Sequence, residues 1–166
     1  MDTVKIFITN LAKYNAGDLV GDWVELPIYD DDELTETIAK VIESETDEHF
    51  ITDYEGDVVI NEHDSIVELN DFVREIEGFS ESDQIAAIFL VNEINMSYAE
   101  SLEHYQDVTA YDVKTLKELA EYLVDEGYYG DIPESIIRYI DYDAIANDLH
   151  CGGGYHEFNG MVLYYL

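Results

Sequence analysis

Tyr155-His156-Glu157-Phe158-Asn159-Gly160-Met161-Val162-Leu163-Tyr164-Tyr165 carries the clearest local structural signal in the chain. Aromatic and branched residues on both sides of Asn159-Gly160 suit two strands. Asn-Gly suits the two central positions of a type I′ turn, where both residues need positive φ. A hairpin at this end makes the local sheet antiparallel. Upstream, Asp107 to Asp112 reads as a short strand. Lys114 to Glu126 reads as a helix with Leu116, Leu119, Ala120, Leu123 and Val124 inward and Gly127 at its end. Pro133 suits the first turn of a helix through Ile136, Ile137 and Ile140. A break near Asp141 and a further turn through Leu149 follow, and Cys151 to Tyr155 reads as a flexible turn.

The middle of the chain reads as helices. Ser65 with Glu68 three residues on has the form of a capping box, ahead of the stripe Ile66, Leu69, Phe72, Val73 and Ile76, and Gly78 ends that helix. Ser80 caps a second helix, with Ile85, Ile88, Phe89 and Val91 as its inner face. Tyr98 to Gln106 adds a third, short helix. At the N-terminal end, Val4 to Thr9 alternates as a strand, Asn10 to Asp18 reads as a loop, and Leu19 to Leu26 as a second strand closed by Pro27. Asp31 to Ser44 reads as a helix with acids in its first turn. His49 to Tyr54 and Asp57 to Asn61 read as two short strands. The expected class is α+β in three small sub-domains: an N-terminal sheet with a helix over residues 1–61, a central helical bundle over 62–103, and a C-terminal α/β domain with the hairpin over 104–166.

Charge narrows the function. The 166 residues hold 39 acids against 7 bases, a net −32, yet 47% are hydrophobic and 13% aromatic. That apolar content sets the chain apart from a disordered acidic tail. Residues 1–60 hold 16 acids and 3 bases, 61–103 hold 11 and 1, and 104–166 hold 12 and 3, so the charge runs along the whole length. Solubility alone asks for a net charge of roughly 2–8 in magnitude, and self-repulsion opposes compaction. The excess points to a surface field that is used, or to adaptation to high salt. Direct nucleic-acid binding and anionic membranes are both disfavoured. The apolar runs are too short for a spanning helix. The opening MDTVKIFITN has no signal-peptide pattern, and one cysteine, Cys151, fits a reducing cytoplasm.

Specific chemistry is hard to find. Cys151-Gly152-Gly153-Gly154 lacks the Lys-Ser/Thr of a phosphate loop. Asp141-Tyr142-Asp143 lacks the glycine of a calcium loop. His150, Cys151 and His156 lack the paired spacing of zinc ligands, and the adjacent Cys151 and His150 are poorly placed as a nucleophile and base. Acids are so numerous that pairing some of them for catalysis discriminates nothing. No metal or cofactor is expected.

A fixed field has one direct use. Duplex DNA carries one negative charge per roughly 1.7 Å of axis, so 32 charges in line match about 54 Å, or about 16 base pairs. The residues add a resemblance. Ile8-Thr9-Asn10-Leu11-Ala12-Lys13-Tyr14-Asn15-Ala16-Gly17-Asp18-Leu19-Val20-Gly21-Asp22-Trp23 resembles the opening of ArdA-type antirestriction proteins. Ile132-Pro133-Glu134, then Tyr139 to Ala144 and Asn147-Asp148-Leu149, resemble that family's C-terminal stretch. The resemblance implies a cytoplasmic DNA mimic encoded on mobile elements, elongated and dimeric through its C-terminal part. It also implies a partner, the specificity and methyltransferase subunits of type I restriction-modification enzymes, whose DNA groove the mimic fills.

Asp30, Asp31, Asp32, Glu33, Glu36, Glu68, Asp71, Glu75, Asp83, Glu118, Glu121 and Asp125 are the expected phosphate-like groups. Each equally fits a plain solvated helix face. Val108, Ala110 and Tyr111, on a weakly charged strand able to pair at an edge, are the expected homodimer interface; an internal strand explains them as well. Two other readings share the sequence: an acidic module that inhibits another basic DNA-binding protein, and a small carboxylate-dependent enzyme.

Overall fold

A computed structural model describes residues 3–44 and 47–166. The described chain is α+β, with two three-stranded antiparallel sheets and eight α-helices among the described residues. It divides into two compact units, Met1–Tyr105 and Gln106–Leu166.

The first unit opens with β1 (Val4–Asn10), the middle strand of its sheet, flanked by β2 (Gly21–Leu26) and β3 (His49–Glu55). Val4, Ile6 and Ile8 are fully buried on one face, with Val24 and Leu26 of β2 and Leu34 of helix α2 (Asp31–Val41). Phe7 points to the other face and meets Trp23 edge-on at 5.5 Å. One covered and one half-open face is the usual state of a small antiparallel sheet.

Asn10 to Asp18, expected as a loop, holds a short helix, α1 (Leu11–Ala16). Asn10 caps it by accepting from the Lys13 N–H, and Gly17 closes it at φ 91°. The helix buries none of its residues, so it carries no apolar stripe to betray it. The structure also corrects the strand expected at Asp57 to Asn61. The alternation there is real, since Val58 and Ile60 are buried and Val59 is exposed. Its backbone, however, is tied by a side chain: Asn92 accepts from the Val59 N–H at 2.8 Å and donates to the Asp57 carbonyl at 2.8 Å. An amide can satisfy extended backbone as a neighbouring strand would.

Helices α3 (Ile66–Ile76), α4 (Glu81–Asn92) and α5 (Tyr98–His104) complete this unit. Ser65, Ser80 and Ser97 each accept from the N–H three residues on. The full capping box is at Ser97 and Glu100. The α3 stripe is buried as the spacing implies. In α4, Ala86, Ala87, Ile88, Phe89 and Leu90 are buried in succession, so the helix is enclosed on several sides, while Ile85 and Val91 are only half-buried. Phe72 and Tyr98 pack their rings at 5.2 Å, and the buried Ser101 hydroxyl donates to the Ala87 carbonyl at 2.7 Å.

In the second unit, β5 (Tyr155–Phe158) and β6 (Met161–Tyr164) form the expected hairpin, with Asn159 at φ 44° and Gly160 at φ 81°. Strand β4 (Thr109–Tyr111) adds to β6, in the order β4-β6-β5. Helix α6 (Leu116–Asp125) buries the five residues expected of it. Its cluster of Leu116, Leu119, Leu123 and Val162 is backed by Tyr111, Val113, Ala146, Leu149 and Tyr155. Helix α7 (Glu134–Ile137) is one turn long and buries nothing. Asp141 caps α8 (Tyr142–Gly152), which runs through Cys151 where a flexible turn was expected; Gly153 and Gly154 then make the turn.

Candidate functional surface

Burial decides where the charge lies. The buried polar residues are Thr9, Asn10, Asn70 and Ser101; no described acid is among them. Burying an unpaired carboxylate is costly, so a chain this acidic folds by placing the apolar stripe of each helix inward and its carboxylates outward.

Two helices repeat one spacing. On α3, Glu68 and Glu75 are exposed and Asp71 half-buried, flanking the buried stripe Leu69, Phe72, Val73 and Ile76. On α6, Glu118, Glu121 and Asp125 lie opposite Leu119, Ala120, Leu123 and Val124. Steps of three and then four residues rise about 4.5 and about 6 Å along the axis. Asp30, Asp31, Asp32, Glu33 and Glu36 are all exposed at or near the start of α2.

Several of the twelve acids also have local work. Asp30 caps α2, accepting from the Glu33 N–H at 3.0 Å. Asp83 is half-buried and accepts from the Ser80 hydroxyl at 2.7 Å. Glu118 accepts from the Lys114 N–H at 2.7 Å. Asp71, also half-buried, pairs with Arg74 at 2.5 Å, and Asp31 meets the same guanidinium at 3.3 Å. Lys117 bonds Asp143 at 2.9 Å, which raises its pKa. At Glu100, bonds from the Ser97 side chain and backbone hold the carboxyl below its usual range. Burial, then the bond to Asp64, raises Tyr98 far above its usual value. Arg74 and Asn70 join these contacts without having been among the expected site residues. The signal was available: Asn70 is a polar residue on an apolar stripe, and Arg74 is the one base between residues 61 and 103.

Val108 is buried, and Ala110 and Tyr111 are half-buried. Ala110 faces Leu163 and Tyr111 faces Val162 in the ladder. Strand β4 is thus internal on one side and, at the end of the sheet order, an edge on the other. Burial raises the Tyr111 and Tyr155 hydroxyls above their usual pKa.

A cleft of about 590 Å³ lies beside β2 and α2, lined by Asp22, Trp23, Glu25, Thr37, Lys40 and Glu43 among others. It holds neither Cys151, which is exposed on α8, nor a histidine. Among the described residues, no group of three or more His, Cys, Asp or Glu could hold a metal ion. No described helix is long and apolar enough to cross a membrane.

The structure therefore defines a class: a small α+β protein with an apolar interior and its described acids at the surface. The family model for the antirestriction protein ArdA matches residues 6–163, and the chain belongs to that family. A search of curated proteins finds no match. The stretch that carries the resemblance turns out to be largely architectural. Asn10 caps α1 and donates to Ile42 and Asp47, and Gly17 stops α1. Gly21 lies where a Cβ would press into the Ile8 carbonyl oxygen.

Proposed function

We propose that this antirestriction protein works as a DNA mimic. Its exposed carboxylates occupy the DNA-binding groove of a type I restriction-modification enzyme, on the specificity and methyltransferase subunits, and so protect incoming mobile DNA in the cytoplasm. The observation that carries the reading is that no described acid is buried, while α3 and α6 present acids at one repeated spacing. Groove-sized fields of opposite sign also speed encounter. The protein acts by occupancy and performs no reaction of its own. A homodimer joined along the free edge of β4 would double the array.

Competition tests this. Labelled duplex bound to a purified type I enzyme is titrated with the protein at several salt concentrations. Displacement that weakens steeply with salt, and activity that declines gradually as acids are neutralised in groups, are expected. Saturating protein that leaves DNA on several type I enzymes would reject the target class. Abolition by one or two acid substitutions would reject mimicry in favour of a discrete site.

A further inference from the structure

Segment Ile28 to Asp31, which leads from β2 into α2, is bound to α3 by three side chains on one face of that helix. Asn70, fully buried, accepts from the Ile28 N–H at 2.7 Å and donates to the Ile28 carbonyl at 2.8 Å. Arg74, four residues on, donates to the Tyr29 carbonyl at 3.4 Å, to Asp31 Oδ1 at 3.3 Å and to Asp71 Oδ1 at 2.5 Å. Three residues further, the Glu77 carboxylate accepts from the Tyr29 hydroxyl. Asn70 fixes the backbone without using charge. Arg74 then does something a neutral residue cannot: it draws two carboxylates from different helices together. Its own side chain is 30% exposed, while those of Asp31 and Asp71 remain 82% and 48% exposed. The planar fork of a guanidinium suits that double contact.

We propose that Arg74 is a positioning residue for target binding. It holds Asp31, within the Asp30–Glu33 block, in fixed register with Asp71 in the acidic row of α3. This rests on the mimic reading above. Its content is that binding depends on where these carboxylates are held, and not on net charge alone. The two dependences differ in sign at this residue. Removing Arg74 takes the chain from −32 to −33. A partner that feels only the total field binds such a variant at least as well. A partner that needs the register binds it less well, because the acids must be ordered again on binding.

The experiment compares wild type, R74Q, R74K and K13Q in the same DNA-displacement assay across a salt series, with circular dichroism and melting for each. Lys13 lies on α1 and its replacement makes the same change in net charge. R74Q is expected to bind about tenfold more weakly, with a shallower dependence of log affinity on log salt. K13Q should match wild type or bind slightly more tightly. R74K keeps −32 and should recover part of the loss. Salt screens self-repulsion and so shifts the folding of a chain at −32; the folded fraction read by circular dichroism at each salt concentration therefore corrects the active concentration, and the weakening left after that correction is the positioning effect. R74Q equal to K13Q, or tighter than wild type, overturns the inference. If R74Q does not fold, R74K decides: at least threefold weakening in a folded protein supports it, and wild-type affinity overturns it. Absence of DNA displacement by wild type would instead remove the mimic reading, and this inference with it.

Discussion

Replacing Asn10 tests whether the opening signature holds the first unit together. The residue is fully buried and uses its whole amide. Oδ1 accepts from the Lys13 N–H at 3.0 Å, while Nδ2 donates to the Ile42 carbonyl at 2.8 Å and to Asp47 Oδ2 at 2.9 Å. One side chain thus starts α1, holds the chain just after α2, and anchors the approach to β3. Asn10→Ala removes a cap worth about 1 kcal/mol and takes the amide donor from the carbonyl of buried Ile42, at about 1–3 kcal/mol. Asp47 is half-buried and can turn to water. The total is about 2–4 kcal/mol. With a urea slope of about 2 kcal/mol per molar, the midpoint falls by about 1–2 M. Trp23 is the only tryptophan and lies on β2, so its fluorescence reports this unit specifically. Asn10→Asp is the sharper variant. Asp caps as well as Asn, yet it sets a carboxylate against a carbonyl and another carboxylate. It should be at least as unstable as Asn10→Ala. A midpoint for Asn10→Asp close to wild type would refute the reasoning, because it would reduce Asn10 to a helix cap.

Three further outcomes follow from the geometry. Gly21→Ala drives a methyl into the Ile8 backbone oxygen, where no side chain can give way; it should lower the Trp23-detected midpoint by about as much as a severe core mutation, about 3 kcal/mol. Because bonds from Ser97 depress the Glu100 pKa, their stabilisation is complete above the ordinary 4.5 and is lost as pH falls through the lower folded value; Ser97→Ala should therefore lose less melting temperature than wild type on acidification from pH 5 to 3. Ala110→Asp, on the outermost strand of its sheet, should halve the sedimenting mass if two chains join there; an unchanged dimer would move the interface elsewhere.

The parts of the fold legible in the sequence were those set by local pattern. Asn159-Gly160 dictates its turn because both positions need positive φ. The five inward residues of α6 follow from helical spacing alone. Ser65 and Ser80 announced their helices, although among the described helices the reciprocal bond of a full box forms at Ser97 and not at these two. What escaped depends on partners distant in sequence. Nothing near Val59 shows that Asn92 will satisfy its backbone. Helix α1 escaped because it rests on an N-cap and a glycine stop with no buried face between them. For the candidate surface, outward placement of most acids was legible from the apolar stripes. The sharing of Arg74 between Asp31 and Asp71 was not, since it requires two helices to meet.

The joints of this protein are mostly uncharged: an asparagine at each of three junctions, a glycine under a carbonyl, a serine at the head of each central helix. Carboxylates mostly coat that frame. Changes of acid can therefore redraw the field around the protein while the frame stays put. One skeleton can in this way wear different electrostatic maps, held throughout by the same caps and turns.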